Sequence, residues 1–302
     1  QVTDMSRMFT LAEAADPHVS NWDTSNVTDM HHMFEFAWVA EPDVSHWDTS
    51  NVIDMTRMFA TMNLANPDVS NWDTTYVIDM NRMFKNANRA NPDVSNWQTG
   101  LVENFAGMFE GTRVADPDVS QWDTSSALDL SQMFEDALIA DPDVSNWDTS
   151  KVNDMSSVFR FNEVATPDLS QWDTSSVITM NAMFNGATAA NPDVSNWRIS
   201  NVTDLGWMFR GATVANPNVS SWDTGSVTRM FAMFNFALAA NPDVSQWDVS
   251  KVQGMGAMFT GATAANPDMS QWALTSLTME PFFEGLESAF TQSGVSVENY
   301  TA

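Results

Sequence analysis

The sequence has a strict 25-residue period, and this period restricts the folds that the chain can adopt. One repeat includes residues 65–84, which read ANPDVSNWDTTYVIDMNRMF. Its tryptophan recurs eleven times without a change of spacing, as Trp22, Trp47, Trp72, Trp97, Trp122, Trp147, Trp172, Trp197, Trp222, Trp247 and Trp272. Such a period is typical of a solenoid, in which each repeat buries its apolar face only by stacking on its neighbours. We therefore predict one elongated solenoid domain over residues 1–272 and a C-terminal capping segment over residues 273–302.

The chain is strongly acidic, which excludes some classes of partner. It has 12 Lys and Arg against 39 Asp and Glu, a formal net charge of −27. This charge repels phosphate backbones and anionic lipid surfaces, so we expect no nucleic-acid partner. No run of about 20 apolar residues is present, so we expect no membrane insertion within this segment. The absence of cysteine excludes disulfides and thiolate metal sites.

The second half of each repeat has the apolar spacing of a short helix. Val77, Met80, Met83, Phe84 and Ala87 stand at i, i+3, i+6, i+7 and i+10, which is one face of a helix. An aspartate just before the first methionine would lie in the first helical turn, where negative charge is favoured. This column contains Asp4, Asp29, Asp54, Asp79, Asp129, Asp154 and Asp204. In four repeats a glycine stands two positions after the phenylalanine, as expected at a helix C-terminus: Gly111, Gly186, Gly211 and Gly261.

The first half of each repeat is predicted to turn and then form a short strand. Residues 66–68, Asn-Pro-Asp, favour a turn because proline presets φ and both polar side chains can bond to the local backbone. In the strand, Trp72 and Thr74 stand at alternate positions and point inward, whereas Asp73 points outward. Apolar replacements in the threonine column support the inward orientation: Ile199, Val249 and Leu274.

The spacing of the repeat resembles that of the BspA-like leucine-rich repeats. Its residue sequence is similar to the bacterial surface-protein repeats once called domain of unknown function 285. The resemblance rests on the pattern V-x-x-W-x-T-x-x-V-x-x-M-x-x-M-F over residues 69–84, repeated along residues 1–272, and on the tail over residues 294–300. It implies a right-handed α/β solenoid with a parallel sheet on one side and short helices on the other, displayed outside the cell or at its surface. The spacing alone also fits a β-helix, which is the alternative. Those repeats often carry Phe-Asn-Gln before the aspartate where this chain has Ala-Asn-Pro, so the turn is expected to differ in detail.

The repeat pattern breaks at Ala273. Residues 281–290 begin with proline and are predicted to form a helix that caps the last repeat. No equivalent cap precedes the first repeat, so we expect an upstream cap or a neighbouring domain.

The tryptophan, methionine and phenylalanine columns are predicted to form the core. A tryptophan kept in every repeat, whatever its neighbours, packs most simply as a ladder of stacked rings. The alternative is a row of sugar-stacking platforms, which would need the indole rings on the surface.

A column of outward-facing aspartates is the candidate cation site. We call it the aspartate ladder; its members are Asp23, Asp48, Asp73, Asp123, Asp148, Asp173, Asp223 and Asp248, with Gln98, Arg198 and Ala273 interrupting it. Like charges about 5 Å apart on neighbouring strands repel each other. Either each carboxylate accepts hydrogen bonds from Ser, Thr or backbone N–H groups, or hard cations such as Ca²⁺ bridge adjacent carboxylates. No EF-hand loop is present, and no other cofactor is expected.

Two further polar sets are expected to have structural roles. The aspartates that follow the prolines, such as Asp68, are predicted to cap turns. The histidines His18, His31, His32 and His46 all fall in the first two repeats, where we expect exposed surface residues in preference to transition-metal ligands.

Specific recognition is expected where the repeats differ, because stacking requires the same residues in every repeat and binding does not. The variable positions are the two before Met-Phe and the five after it. Apolar residues at these positions are the candidate binding residues: Trp38, Trp207, Phe231 and Phe236. A contiguous apolar patch around the last three would mark a partner surface.

We predict that the chain is not an enzyme. It has no Ser-His-Asp or Cys-His set and no phosphate-binding loop, and its paired carboxylates recur in repeat after repeat instead of marking one pocket. The leading prediction is an extracellular adhesion or ligand-binding module whose partner is a protein or glycan on another surface. End-to-end self-association into filaments or a surface layer is the alternative. Ice binding by the threonine column comes third, since it needs those side chains to face outward.

Overall fold

A computed structural model describes residues 2–273 of the chain. The predicted capping helix over residues 281–290 and the tail over residues 294–300 lie outside the described residues. The chain divides into two compact units, Gln1–Lys151 and Val152–Ala302. Within each unit the repeats lie on one another in register.

The predicted α/β solenoid is wrong, because residues 2–273 contain no helix and no strand longer than a single residue. Regular pairing is limited to isolated parallel β-bridges between equivalent positions of successive repeats. In the first unit these bridges join Asp4, Asp29, Asp54, Asp79, Asn104 and Asp129 in turn, and in the second unit Asp154, Thr179, Asp204, Arg229 and Gly254. The described residues include no helix long and apolar enough to cross a membrane.

The expected helix is absent because its backbone N–H groups bond to the next repeat. Alternate N–H groups over residues 80–86 donate to carbonyl groups of residues 104–110, with N···O distances of 2.7–3.0 Å. The intervening groups close tight turns, such as Met83 N–H to the Met80 carbonyl at 3.2 Å. Arg82 and Asn86 have left-handed φ values of 52° and 54°, which a right-handed helix does not contain. These N–H groups therefore bond between repeats in place of the i to i−4 bonds of a helix.

The glycines predicted to end helices have a different role. Gly111, Gly186, Gly211 and Gly261 have φ values of 68° to 75°, in the same column as Asn86. They occupy the second left-handed position of the repeat, where glycine carries no steric penalty. The prediction that an aspartate column lies in the first helical turn is also wrong. Asp79 lies at a β-bridge, and its Oδ1 accepts the N–H of Asn81 at 2.8 Å.

The predicted core is confirmed even though the helix is not. Val77, Met80, Met83, Phe84 and Ala87 are all buried. The same side chains point inward because successive tight turns also return the chain to the interior at every third position. Phenylalanine rings of adjacent repeats stack within each unit, with centroids 5.4–5.8 Å apart in the first unit.

The tryptophan and threonine columns also face inward as predicted, although no strand carries them. From Trp47 onward in the first unit the tryptophan rings are buried and stack nearly parallel on their neighbours, with centroids 6.3–6.5 Å apart. Each indole also bonds to a neighbouring repeat; Trp72 Nε1 donates to the Val44 carbonyl at 3.1 Å. Thr74 is fully buried, and its Oγ1 donates to the Gln98 carbonyl at 3.0 Å. Burial excludes the sugar-platform role for these tryptophans and an ice-binding face for the threonines.

Candidate functional site

The variable positions lie around the two left-handed residues of each repeat, and in the second unit they carry exposed aromatic rings. Trp207 occupies the first left-handed position with φ 56°. Its ring meets the half-buried Phe231 edge to face, with centroids 5.4 Å apart and planes at 71°. Trp207 remains 39% exposed after this contact. The structure therefore brings together two of the four candidate binding residues, and we call them the Trp207–Phe231 pair.

Phe236 occupies the second left-handed position and is more exposed than either member of the pair. Its φ is 56°, and 54% of its surface is accessible. The ring lies across Gly261 of the next repeat, since a Cβ placed on that glycine would be 2.5 Å from Phe236 Cδ1. The missing side chain at residue 261 thus creates the space that the phenylalanine occupies.

Phe161 repeats this arrangement and was missed by the sequence reasoning. It is 40% exposed, lies across Gly186, and has the Arg160 guanidinium carbon 4.5 Å from its ring centroid. A signal for it was present in the sequence, because in both cases the phenylalanine after the Met-Phe or Val-Phe pair has a glycine at the equivalent position of the next repeat. Trp38, the fourth candidate, is exposed in the first unit beside exposed Val39.

The aspartate ladder faces solvent as predicted, and its carboxylates accept local hydrogen bonds. Asp23 Oδ1 accepts the Ser25 N–H at 3.1 Å and the Ser25 hydroxyl at 2.6 Å, and Asp48 accepts the same two bonds from Ser50. The serine hydroxyl is the largest cause that lowers the pKa of Asp48, followed by the serine N–H, while the charge of Asp23 raises it. At Asp48, hydrogen bonding to the ionised form therefore offsets the repulsion from Asp23. Binding of Ca²⁺ to these residues stays a prediction.

Two open depressions lie where the ladder is interrupted. One, of about 360 Å³, is lined by Asp73, Gln98 and adjacent polar residues in the first unit. The other, of about 290 Å³, is lined by Asp173, Arg198 and their neighbours in the second unit. Each forms where a longer polar or cationic side chain replaces aspartate, so the two surfaces differ in charge from the rest of the ladder.

The second aspartate column caps turns as predicted. Asp68 Oδ1 accepts the Ser70 N–H at 3.2 Å and its hydroxyl at 2.7 Å. These bonds lower the pKa of Asp68, with the serine hydroxyl as the largest cause. The same pairing recurs at Asp43, Asp93, Asp118, Asp143 and Asp243.

Two of the four histidines make specific contacts, whereas His18 and His46 are exposed as expected. His31 Nδ1 lies 2.6 Å from Asp29 Oδ1. His32 Nδ1 lies 2.5 Å from Glu35 Oε2, and the two imidazole rings meet edge to face. Both rings are half-buried, which the sequence alone did not indicate.

A group of charged side chains between repeats was also missed. Lys85 Nζ lies 2.7 Å from Glu110 Oε1, and Arg82 Nε lies 3.6 Å from Glu110 Oε2. Arg82 also donates to Gln132 Oε1 at 2.7 Å, across two repeats. The available signal was the pair of opposite charges, Lys85 and Glu110, at equivalent positions of adjacent repeats.

Comparison with known proteins identifies the repeat. The model of a family described as "Mycoplasma protein of unknown function, DUF285" matches residues 1–91, 34–141, 129–221 and 189–296 in four overlapping copies. No curated protein and no solved structure matches the chain at a significant level. The expected repeat family is thereby confirmed, and the relation to BspA-like leucine-rich repeats stays a prediction.

Proposed function

The chain belongs to the family described as Mycoplasma protein of unknown function, DUF285. We propose that it is a non-enzymatic binding module working outside the cell or at its surface. Its repeats provide a regular scaffold whose constant spacing is used for packing. The residues that interrupt the regularity are then available for a partner.

The exposed Trp207–Phe231 pair is the observation that carries this proposal. Ala182 and Ala232 occupy the same position as Trp207 in the flanking repeats, with φ values of 55° and 52°. The backbone therefore accepts alanine there, and packing does not require tryptophan. The left-handed backbone is shared with the flanking repeats, so Trp207 differs from them in presenting a large apolar ring that is 39% exposed. We attribute its presence to contact with a partner.

The chemistry around the pair favours a protein or a glycan. Arg210 follows on the same turn, where its N–H bonds to the Trp207 carbonyl at 3.0 Å and its Nε to Asn235 Oδ1 at 3.2 Å. Exposed aromatic rings, with an arginine on the same turn and an amide in the next repeat, suit both an aromatic-rich protein surface and the apolar face of a pyranose ring with its hydroxyls. The acidic chain disfavours anionic partners elsewhere on its surface.

Catalysis is the weaker assignment because the reactive groups are repeated and locally bonded. The carboxylates of Asp23 and Asp48 each bond to a nearby serine, Ser25 and Ser50, and the same unit recurs along the ladder. A catalytic site normally combines different groups at one place.

Substitution of Trp207 by alanine tests the proposal directly. The Trp207→Ala variant keeps the fold because alanine occupies the flanking positions, and it loses at least about tenfold in affinity for the partner if the indole is a central contact. Binding is measured on a glycan array and on a panel of purified extracellular proteins. Tyr76→Ser is the matched control, since Tyr76 is an exposed aromatic and serine occupies its column at residue 126.

Unchanged binding in Trp207→Ala, or an equal loss in Tyr76→Ser, would refute a role for the pair. Growth of molar mass with concentration in light scattering, abolished by Trp207→Ala, would favour self-association over binding a different partner.

We also propose that the aspartate ladder takes up Ca²⁺ at its exposed carboxylates. A ligand that binds only the folded state raises stability by RT ln(1 + [L]/Kd). Thermal unfolding with Ca²⁺ and with EDTA at equal ionic strength measures this. An equal Tm with Ca²⁺ and with EDTA would contradict Ca²⁺ binding and mean that hydrogen bonds from serine alone stabilise the ladder carboxylates.

A further inference from the structure

Three side chains near the start of the chain meet with the spacing of metal ligands. One oxygen each of Asp29 and Asp54 and one ring nitrogen of His31 all lie within 4.8 Å of one another. All three residues are half-buried. We call them the Asp29–His31–Asp54 triad. Among residues 2–273, no other three His, Asp or Glu side chains bring their ligand atoms this close together.

The backbone fixes the relative position of the triad. Asp29 and Asp54 are joined by a parallel β-bridge, and the Met30 N–H donates to the Asp54 carbonyl at 3.0 Å. Asp29 Oδ1 accepts the His31 N–H at 3.0 Å, which places the imidazole beside its carboxylate. Asp54 Oδ1 accepts the Thr56 N–H at 2.8 Å. The first oxygen of each carboxylate is therefore held by the backbone, and the second is available to a ligand.

A second layer of contacts holds the imidazole. The His32 ring meets the His31 ring edge to face with centroids 5.2 Å apart. His32 is itself held by Glu35, which is 7% exposed and whose Oε1 also lies 3.3 Å from Arg57 Nη1. Outer contacts of this kind orient the ligands of metal sites.

We propose that the Asp29–His31–Asp54 triad binds a divalent transition metal of the Zn²⁺ class. Imidazole nitrogen selects zinc and similar ions over Ca²⁺ and Mg²⁺, and carboxylate oxygen is compatible with them. Ligand atoms around a tetrahedral zinc, bonded at about 2.0–2.2 Å, lie about 3.4 Å from one another. The three ligand atoms already lie within 4.8 Å of one another, so each pair needs to approach by no more than about 1.4 Å to reach this spacing. Three protein ligands leave one position for water or a partner group.

The competing explanation is a simple hydrogen bond between His31 and Asp29. Their 2.6 Å contact fits a proton shared between Nδ1 and Oδ1. That bond needs only two of the three residues, whereas the proposed site also uses Asp54 across the β-bridge. The metal would replace the shared proton and join the two repeats. The two explanations therefore differ in whether Asp54 and an added ion matter.

Zinc binding is tested on the full chain with a background of hard cations. The measurement is isothermal titration with Zn²⁺ in an excess of Ca²⁺. The Ca²⁺ fills weak carboxylate sites, so the heat of Zn²⁺ binding reports a site that includes a nitrogen ligand. We expect one saturable equivalent, weakened at least about tenfold in His31→Asn and in Asp54→Asn. His46→Asn removes an exposed histidine as the matched control and is expected to bind as the wild type does.

The His31→Asn variant is expected to fold, because Asn81 occupies the equivalent position and donates to the Ala106 carbonyl at 3.0 Å. Circular dichroism checks this. Absence of a saturable equivalent in the wild type, or equal binding in a folded His31→Asn variant, would overturn the proposal.

A transplanted site provides a gain-of-function test. Thr56 stands in the position of His31 one repeat later, between Asp54 and Asp79, which also share a β-bridge. Thr56→His in the His31→Asn background should recover one equivalent of binding and give Co²⁺ the visible spectrum of a low-symmetry site. A folded double variant that binds no better than His31→Asn would contradict the proposed geometry.

Discussion

Truncation of one buried tryptophan provides the sharpest test of how the repeats hold together. Trp97 is 4% exposed, and its ring stacks on Trp72 at 6.5 Å and on Trp122 at 6.4 Å. Its Nε1 donates to the Val69 carbonyl at 3.1 Å. Trp97→Ala therefore removes a stacked ring and an inter-repeat hydrogen bond in one change.

The expected loss is about 3.5–6.5 kcal/mol, because two costs add. Truncating a buried aromatic to alanine costs about 3–5 kcal/mol, and the lost hydrogen bond adds about 0.5–1.5 kcal/mol. The Val69 carbonyl keeps one partner, the Trp72 N–H at 3.1 Å, so no full penalty for an unpaired carbonyl is added. Trp97→Phe keeps a stacked ring and loses the bond, and it should cost about 1–2 kcal/mol.

Urea unfolding followed by far-UV circular dichroism measures these changes, and the m-value shows whether unfolding stays cooperative. Trp38→Ala is the control, because Trp38 is 40% exposed and its truncation should cost much less than that of a buried tryptophan. A loss for Trp97→Ala within about 1 kcal/mol of the Trp38→Ala value would refute the stacked core.

Three further predictions each depend on a single contact. Gly186→Ala puts a Cβ 2.5 Å from Phe161 at φ 75° and should cost at least about 1 kcal/mol in thermal unfolding, whereas Gly254→Ala, with no atom within 4 Å, should be neutral. Ser70→Ala should raise the pKa of Asp68 towards its ordinary value of 3.8, which NMR titration measures. Because the wild-type pKa is lowered on folding, the variant should be less stable than the wild type above pH 3.8. The difference in stability should vanish as the pH falls through the lowered pKa. Glu110→Gln should cost about 1–3 kcal/mol in urea unfolding by weakening the contacts to Lys85 and Arg82, and a neutral result would mean that solvent screens both pairs.

The direction in which side chains point could be read from the sequence. Trp72, Thr74 and Met83 were predicted inward and Asp73 outward, and the structure places them so. This works because a strict 25-residue period stacks like on like, so a residue type kept in every repeat must suit the same environment each time.

The candidate site was only partly predictable. Trp207 and Phe231 stand out in the sequence as departures from the repeat, but their ring contact depends on how one repeat lies on the next. The sequence predicts that His31 is exposed, whereas the structure places it half-buried and close to Asp54 of the next repeat. Pairs of this kind appear once the register between repeats is known.

The sequence by itself determined the period, the core columns and the family. Only the tertiary structure decided the backbone path, and the physical reason is the choice of hydrogen-bond partner. An apolar residue at every third position, as at Val77, Met80 and Met83, fits one face of a helix and equally fits a series of tight turns. Stacking offers alternate N–H groups a carbonyl in the next repeat, as for Arg82 and Ala106 at 2.8 Å. Left-handed residues then turn the chain inside each repeat, and the helix and strand expected from local spacing do not form.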